Sequence, residues 1–138
     1  MSYWLLKSEP SAWSWEDQVK AGKKGTFWNG VRNHSAKLNL MAMKIGEQAF
    51  FYHSNVGKEI VGIVEIIKTY YPDPSDSTGK FGMVDVRAKT ALRRPVSLDA
   101  IKADHRLKNM VLINNPRLSV QPVTQEEWSI ICAEGGRL

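Results

Sequence analysis

The sequence predicts a single α+β domain that is built mainly on an antiparallel β-sheet, curled into a small barrel and flanked by helices. Three observations lead to this prediction. The chain has 138 residues, which is the usual length of one domain. Short runs rich in β-branched and aromatic residues alternate with segments that carry helix-capping signals. Because no repeat, low-complexity tract or linker divides the chain, residues 1–138 are predicted to form one domain.

Turn and capping signals predict the first elements of this domain. Residues 2–7 (SYWLLK) are predicted to form a strand, which ends at the turn-prone residues 8–10. Ser14 is a candidate N-cap, because acidic residues follow it in the first turn and Gly22 provides a stop. Residues 36–44 (AKLNLMAMK) repeat apolar side chains at helical spacing and predict a second helix.

The second half of the chain carries the strongest strand signals. Residues 48–54 and 59–71 are predicted to pair as an antiparallel hairpin. Residues 83–92 alternate between apolar and polar side chains, as a half-buried strand does. Residues 117–123 are predicted to form the last strand. Its Pro122 restricts it to the edge of a sheet or to a strand end.

Two further helices and one mobile loop complete the prediction. Ser97 is a candidate N-cap for a short helix, and Thr124 with Glu127 forms a capping-box pattern at the start of the last helix. The connecting segment 72–80 is rich in Pro, Ser and Gly and is predicted to be mobile. The buried face of the last helix is predicted to consist of Trp128, Ile131 and Cys132.

Composition limits the compartment and the partners that we expect. The net charge is +5 with a pI near 9.4, which permits an anionic partner without requiring one. The single cysteine cannot form an internal disulfide or a cysteine-rich zinc site. No apolar run approaches the length of a membrane span, and the first residues lack the pattern of a secretory signal. We therefore expect a cytoplasmic protein that has no membrane partner and is a monomer.

The sequence gives no indication of catalysis, of a metal or of a cofactor. His34, His53 and His105 are scattered, and none has a second ligand at the spacing that a metal site requires. Ser54 has no G-x-S-x-G context, and Cys132 lies on the predicted inner face of a helix. The ten glycines form neither of the phosphate-binding patterns. A non-enzymatic protein without a cofactor is therefore predicted.

Binding of a small planar ligand is better supported than catalysis or metal binding, although for each group of residues taken alone packing is the stronger explanation. The stretch 27–36 (FWNGVRNHSA) is either a core plug followed by a helix cap, or the rim of a site that stacks a flat ring. Residues 7–9 and 52–54 also place hydrogen-bonding groups beside aromatic or apolar residues at the ends of strands. Within 27–36 we predict that Phe27 is core and that Asn29-Gly30 is a turn.

Six motifs in the same order resemble the EVE domain, from about residue 2 to about residue 131. They are YWLLKSEP, WNGVRN, FFYHSN, VGIVEI, YPD and RLSVQPVT. The EVE domain belongs to the PUA-like group, which also includes the YTH readers of methylated RNA. The resemblance implies a PUA-like curved antiparallel β-barrel flanked by helices. It also implies a non-enzymatic pocket for a modified base, of which 5-substituted cytosine in DNA, flipped out of the duplex, is the favoured class.

The resemblance also implies which residues form this pocket. Trp28 would stack on the base and Asn33 would read its edge. After WNGVRN the family more often continues with an aromatic residue and a glutamine, whereas His34 and Ser35 stand here. The implied pocket residues are Trp28, Val31, Asn33, Tyr52, His53, Ser54, Ser8, Glu9, Leu118 and Ser119, and the expected phosphate contacts are Lys7, Arg32, Lys37 and Arg117.

Three other functions remain open at this point. The protein could be an RNA-associated module, a protein-interaction accessory module, or a sensor of a free modified nucleoside. The net charge of +5 would then serve mainly to keep the protein in solution.

Overall fold

A computed structural model describes residues 1–136, in which six strands and five α-helices are formed. The strands are β1 (Tyr3–Ser8), β2 (Thr26–Trp28), β3 (Gln48–His53), β4 (Glu59–Pro72), β5 (Gly82–Ser97) and β6 (Val120–Val123). The helices are α1 (Trp15–Lys20), α2 (His34–Ala42), α3 (Leu98–Ala103), α4 (Val111–Asn114) and α5 (Gln125–Glu134). Short 3₁₀ turns lie at Gly22–Lys24 and His105–Leu107. Residues 137 and 138 of the predicted domain lie outside the described part.

The strands form one mixed sheet in the order β2-β5-β4-β3-β1-β6. Strand β1 pairs with β3 in parallel, whereas the other pairs are antiparallel, so the prediction of an antiparallel sheet is wrong for this pair. The parallel pair arises because α1, β2 and α2 form a crossover that returns the chain in its original direction. Within residues 1–136, β2 and β6 are the two edges of an open sheet, so the predicted barrel is not confirmed.

The predicted hairpin and the predicted edge strand are both confirmed. Strands β3 and β4 pair antiparallel through a turn at residues 54–58. Pro122 lies in β6 at one edge of the sheet, where its missing N–H interrupts no ladder between two strands. On this edge the Nδ2 amide of Asn39, in α2, donates to the carbonyl of Val120 at 2.7 Å. Helix α2 therefore follows edge strand β2 in the chain and contacts the opposite edge strand.

Each face of the sheet carries its own apolar cluster, because successive side chains of a strand point to opposite faces. We name these faces after two adjacent residues of β3, Phe51 and Phe50. The Phe51 face is covered by α1 and α2, and the Phe50 face by α3, α4 and α5. Each large side chain buried in these clusters contributes about 1.5–3 kcal/mol of transfer free energy. The two clusters together fix the ends of the strands, where the candidate site lies.

The capping signals identified in the sequence begin the helices as predicted. The hydroxyls of Ser14 and Thr124 each accept from the backbone N–H of the third helical residue. The carboxylate of that residue accepts in turn from the backbone N–H of the N-cap residue. The Ser97 hydroxyl accepts from the backbone N–H of Ala100 at 3.1 Å. The predicted inner face of α5 is also confirmed, since Trp128, Ile131 and Cys132 are buried. No helix in the described part of the chain has both the length and the apolar composition to cross a bilayer.

Candidate functional site

The parallel pairing of β1 and β3 brings three of the predicted groups to one end of the sheet. Ser8 at the end of β1 lies opposite His53 at the end of β3, because parallel strands end at the same edge. The backbone N–H of Ser54 donates to the carbonyl of Ser8 at 2.9 Å. On the other side of β1, the N–H of Lys7 donates to the carbonyl of Ser119 at 3.0 Å. The motifs that contain residues 7–9, 52–54 and 117–119 therefore meet.

A cavity of about 310 Å³ opens at this end of the sheet, and we call it the Trp28 cavity. Its size lies at the lower end of the range for small-molecule pockets. Three aromatic residues and several polar groups line it, which is the combination that a flat heteroaromatic ring requires. The principal lining residues are Lys7, Ser8, Trp13, Phe27, Trp28 and Asn29.

Hydrogen bonds hold one aromatic wall of the Trp28 cavity in place. The hydroxyl of Ser8 donates to the carbonyl of Trp13 at 2.7 Å. The indole N–H of Trp13 donates to Oε1 of Gln18 at 2.9 Å. Gln18 is fully buried, and its amide donates in turn to the carbonyl of Val86 at 3.3 Å. The position of the Trp13 ring is thus set before any ligand binds.

Trp28 lines the cavity and also belongs to the core. Its side chain is 7% exposed and meets Phe51 edge to face, with ring centroids 5.5 Å apart. The sequence alone left core filler and ring-stacking rim as alternatives. The structure shows a core residue whose side chain also lines the cavity, and the stacking role stays a prediction. The prediction that Phe27 is core is wrong, because this residue is 53% exposed. In strand β2, Trp28 points into the core, so its neighbour Phe27 must point away.

A second cavity of about 240 Å³ lies beside the first, and we call it the Tyr52 cavity. Its polar wall contains Tyr52, Ser54, Asn55 and Lys58, and Lys7 lines both cavities. Leu98, Leu112 and Pro116 form the rest of its lining. The predicted residues Tyr52 and Ser54 are therefore separated from Trp28 by the end of strand β1.

Lys7 is half-buried between the two cavities. Its ammonium donates to the carbonyl of Pro116 at 2.5 Å and lies 5.8 Å from the centroid of the Tyr52 ring. Burial lowers the pKa of Lys7 and raises the pKa of the Tyr52 hydroxyl, because removal from water disfavours both charged forms. The Lys7 side chain is thus held at the boundary of both cavities.

Two of the predicted pocket residues perform structural tasks and lie outside the lining of both cavities. Asn33 is the N-cap of α2, and its Oδ1 accepts from the backbone N–H of Ala36 at 2.9 Å. Val31 is 6% exposed and packs in the core of the Phe51 face. The predicted role of Asn33 as the reader of a base edge stays a prediction. Its side-chain oxygen Oδ1 already accepts the bond from Ala36.

Arg32, the predicted phosphate contact in the same segment, is paired with a buried carboxylate. Its guanidinium lies 3.1 Å from Oδ2 of Asp73 and donates to the hydroxyl of Ser75 at 2.9 Å. The backbone N–H of Gly30 donates to the same Oδ2 at 2.9 Å. Burial alone raises the pKa of Asp73, but hydrogen bonds from Ser75, Gly30 and Arg32 outweigh it and hold the pKa well below its ordinary value.

Two other predicted residues support the strand ends rather than the cavity walls. Nε2 of His53 accepts from the backbone N–H of Trp15 at 3.0 Å, so the Nδ1 atom carries the proton when this ring is neutral. The carboxylate of Glu9 accepts from the amide of Asn55 at 2.6 Å and so connects the two turns that follow β1 and β3.

The remaining predicted residues surround this end of the sheet without lining either cavity. The ammonium of Lys37 lies 5.8 Å from the centroid of the Phe81 ring. Arg117 is exposed, and Ser119 contributes its backbone carbonyl to the bond with Lys7. Leu118 lines a separate groove of about 470 Å³ between α2, α4 and β6. The roles of these four residues in binding stay predictions.

Sequence reasoning missed Trp13, Asn29, Asn55 and Lys58, and it assigned Phe27 to the core. Trp13 lies three residues after the turn-prone residues 8–10, and an aromatic residue in the short segment between a strand and a helix cap is a usable signal. For Lys58 the sequence holds no such signal, because its position depends on the turn between β3 and β4.

Among residues 1–136 no group of three His, Cys, Asp or Glu residues is placed to hold a metal ion.

Comparison with known proteins supplies the family. The model of the EVE domain matches residues 2–134. Thymocyte nuclear protein 1 from Gallus gallus is 42% identical over an alignment of 161 positions, gaps included, which covers 94% of this chain and 66% of that protein. The chain thus spans slightly less than two thirds of the length of this relative.

Solved structures are similar over nearly the whole chain. The NMR structure of a protein from Rhodopseudomonas palustris is 59% identical with a TM-score of 0.93, covering 99% of this chain and 94% of that one. The human THYN1 protein in complex with 5-methylcytosine-containing DNA is 38% identical with a TM-score of 0.91, covering 100% of this chain and 99% of that one.

A more distant structure shares the fold alone. The YTH domain of Zygosaccharomyces rouxii MRB1, in complex with N6-methyladenosine RNA, is 18% identical with a TM-score of 0.59, covering 97% of this chain and 86% of that one. The family match, the sequence identity to thymocyte nuclear protein 1 and the structural similarity agree. The chain belongs to the EVE domain family.

Proposed function

We propose that this protein is a non-enzymatic reader of modified nucleic acid, which binds a 5-substituted cytosine of DNA in the Trp28 cavity. The observation that carries the proposal is the cavity itself, in which three aromatic residues and the polar groups of Ser8 and Asn29 meet. The complex of the related human THYN1 protein with 5-methylcytosine-containing DNA supports the choice of ligand. Within a duplex, the base would have to leave the helix in order to enter.

Stacking offsets the cost of removing the base from the duplex. Extrusion of a paired base costs a few kcal/mol, and stacking on an aromatic side chain returns about 1–3 kcal/mol. Trp13 and Trp28 are the proposed stacking rings, because hydrogen bonds fix the first and the core fixes the second. A preformed stack loses little conformational entropy when the ligand binds.

Asn29 and Ser8 are the proposed readers of the cytosine edge. An asparagine amide offers one acceptor and one donor group, which match the amino group and the neighbouring acceptor of cytosine. We assign this role to Asn29 rather than to Asn33, since Asn29 lines the cavity and the Oδ1 atom of Asn33 caps α2. The Ser8 hydroxyl donates to the carbonyl of Trp13 and keeps its lone pairs free for an amino group.

The substituent at position 5 is expected to change affinity only modestly. A methyl group that enters an apolar niche contributes about 0.8 kcal/mol, which corresponds to about a fourfold preference. A larger polar substituent requires its own hydrogen-bond partner, because burial without one is unfavourable. The phosphate contacts of Lys7, Lys37 and Arg117 would supply affinity that does not depend on sequence and falls with salt.

The proposal is tested with fluorescently labelled 12-base-pair duplexes that are identical except at one central cytosine. Duplexes that carry cytosine, 5-methylcytosine or 5-hydroxymethylcytosine are titrated at one fixed salt concentration, alongside the matching single strands and RNA. Tighter binding of a modified duplex supports a reader of modified DNA. Equal affinity for all three duplexes contradicts base recognition, and retention of RNA alone or of no nucleic acid favours the RNA-associated or the protein-interaction module.

A further inference from the structure

We propose that the Tyr52 cavity is a phosphate subsite, which binds the phosphate of the nucleotide whose base occupies the Trp28 cavity. The inference rests on the proposed function and adds a second binding position to it. It assigns phosphate recognition to Lys7 and Lys58, and gives Tyr52 and Ser54 a role apart from the base.

The end of strand β1 separates the two cavities and links them. Leu5 packs on the Phe50 face and Leu6 on the Phe51 face. Because successive side chains of a strand alternate between faces, Lys7 points toward the Phe50 face and Ser8 toward the Phe51 face. The contacts agree, since the Lys7 ammonium meets Tyr52 and the Ser8 hydroxyl meets Trp13. A ligand that spans β1 would place one group in each cavity.

The chemistry of the Tyr52 cavity suits an anion with several acceptor oxygens. The residues that line it carry two ammonium groups, the hydroxyls of Tyr52 and Ser54 and the amide of Asn55. The Lys7 ammonium also donates to the carbonyl of Pro116, and the Asn55 amide keeps a second N–H beside the one it donates to Glu9. Phosphate oxygens accept bonds from each of these groups, and charge-assisted bonds are the strongest of them. The carboxylate of Glu9 is bonded to Asn55 and lies outside the lining.

The turn that carries the second lysine has an unusual backbone. Lys58 has a φ of 49° and Asn55 a φ of 64°, both in the left-handed region. Asparagine adopts this region readily, whereas a lysine there is uncommon. The turn is fixed by the bond from the N–H of Leu98 to the carbonyl of Lys58 at 2.8 Å. Strained positions that the surrounding structure fixes occur often at ligand sites, in agreement with a positioned Lys58.

The test compares the nucleoside with its phosphates. Quenching of tryptophan fluorescence measures the binding of 5-methyl-2′-deoxycytidine, its 5′-monophosphate and its 3′-monophosphate to the wild type, to Lys58→Gln and to Lys89→Gln. Lys89 is exposed on β5 and lines neither cavity, so its variant changes the net charge equally. We expect one monophosphate to bind the wild type more tightly than the nucleoside, and Lys58→Gln to lose about three- to fivefold of that affinity, the upper range for an exposed ion pair.

Each result decides between the two proposals. Loss of the monophosphate advantage in Lys58→Gln, with nucleoside affinity unchanged and Lys89→Gln like the wild type, supports the phosphate subsite. Equal affinity of the wild type for nucleoside and monophosphates, or an unchanged advantage in Lys58→Gln, overturns the subsite and leaves base recognition standing. If the wild type binds neither the nucleoside nor its monophosphates and also shows no preference among the duplexes, both proposals fail.

Discussion

Arg32 and Asp73 form an ion pair at 3.1 Å that joins the segment after β2 to the loop after β4. Exposed ion pairs stabilise a protein by only about 0–1 kcal/mol, and the side chain of Arg32 is 39% exposed. The Asp73 side chain is completely buried, however, and it also accepts from Gly30 and Ser75. This carboxylate therefore fixes the backbone at Gly30, next to Asn29, which lines the Trp28 cavity.

Replacement of Asp73 by Asn is expected to lower the free energy of unfolding by about 1–3 kcal/mol. Asparagine keeps the volume but loses the charge that pairs with Arg32. It also has only one accepting oxygen, so the donors at one of the two Asp73 oxygens lose their acceptor. Urea denaturation followed by tryptophan fluorescence measures the change. Asp99→Asn, an exposed position in the first turn of α3, is the control. If the two variants lose equal stability, Asp73 does not organise this region.

The same carboxylate predicts how stability depends on pH. Asp73 has a folded-state pKa below the unfolded value of about 3.9, so its ionised form stabilises the protein above about pH 4. That stabilisation is lost as the pH falls below 4. A hydrogen bond from the Thr78 side chain likewise lowers the pKa of Asp76 to about 2. A hydrogen bond from the Arg106 side chain lowers the pKa of Asp104 to about 2.

We therefore expect stability to fall steeply from pH 4 to pH 2, and to fall less steeply in Asp73→Asn. The free energy of unfolding at a series of pH values, for both proteins, measures the two slopes. Parallel slopes would mean that Asp73 titrates at the same pH in the folded and unfolded states, which its hydrogen bonds do not allow.

Phe27→Ala is expected to weaken binding of a modified duplex without lowering stability. The ring is 53% exposed at the rim of the Trp28 cavity, so its loss removes little buried surface but removes one face for stacking. Fluorescence anisotropy gives the affinity and urea denaturation the stability. Ile45→Ala removes another exposed apolar side chain, 63% exposed and away from the cavity, and should leave both values unchanged. An unchanged affinity in Phe27→Ala would remove Phe27 from the site.

Trp28 requires a milder substitution, because it belongs to the core. Trp28→Ala would remove the contact with Phe51 and is expected to destabilise the protein by about 3–5 kcal/mol, so a loss of binding would then report unfolding. Trp28→Phe keeps an aromatic ring and is expected to fold, while binding the modified duplex more weakly through its smaller ring. If folded Trp28→Phe binds as tightly as the wild type, the base stacks elsewhere.

The local features of this fold were predictable from the sequence because neighbouring residues determine them. The Ser14 and Thr124 caps need only the residues three positions later, and the hairpin of β3 and β4 needs only a short turn between two apolar runs. Strand β2 has three residues, which is too short for a period to appear. Without that strand, the opposite orientations of Phe27 and Trp28 could not be assigned.

The non-local features of the site could not be predicted from residue patterns. Lys7 and Tyr52 are neighbours because β1 pairs in parallel with β3, and no local pattern encodes that pairing. The partner of Arg32 lies 41 residues further along the chain, in a segment whose composition indicated only mobility. The resemblance to the EVE domain did identify the motifs that meet, but it grouped Tyr52 with Trp28, which line different cavities.

Gly62 in β4 leaves the space that the Trp15 indole occupies. A Cβ at this position would lie 2.5 Å from Cη2 and Cζ2 of that ring, closer than real contacts. Gly62→Ala is therefore expected to destabilise the protein by about 1–3 kcal/mol. Phenylalanine lacks the two atoms in question, so Trp15→Phe should relieve much of the clash.

A double-mutant cycle over Gly62→Ala and Trp15→Phe, measured by urea denaturation, tests this explanation. We expect the double variant to be more stable than the sum of the two single losses predicts. Additive losses would mean that the glycine is required for another reason, such as the register shift of β4 between Ile60 and Gly62. The result also bears on the site, because the backbone N–H of Trp15 donates to His53 at the end of β3. Displacement of Trp15 would therefore disturb the strand end between the two cavities, and Gly62→Ala should weaken binding as well as folding.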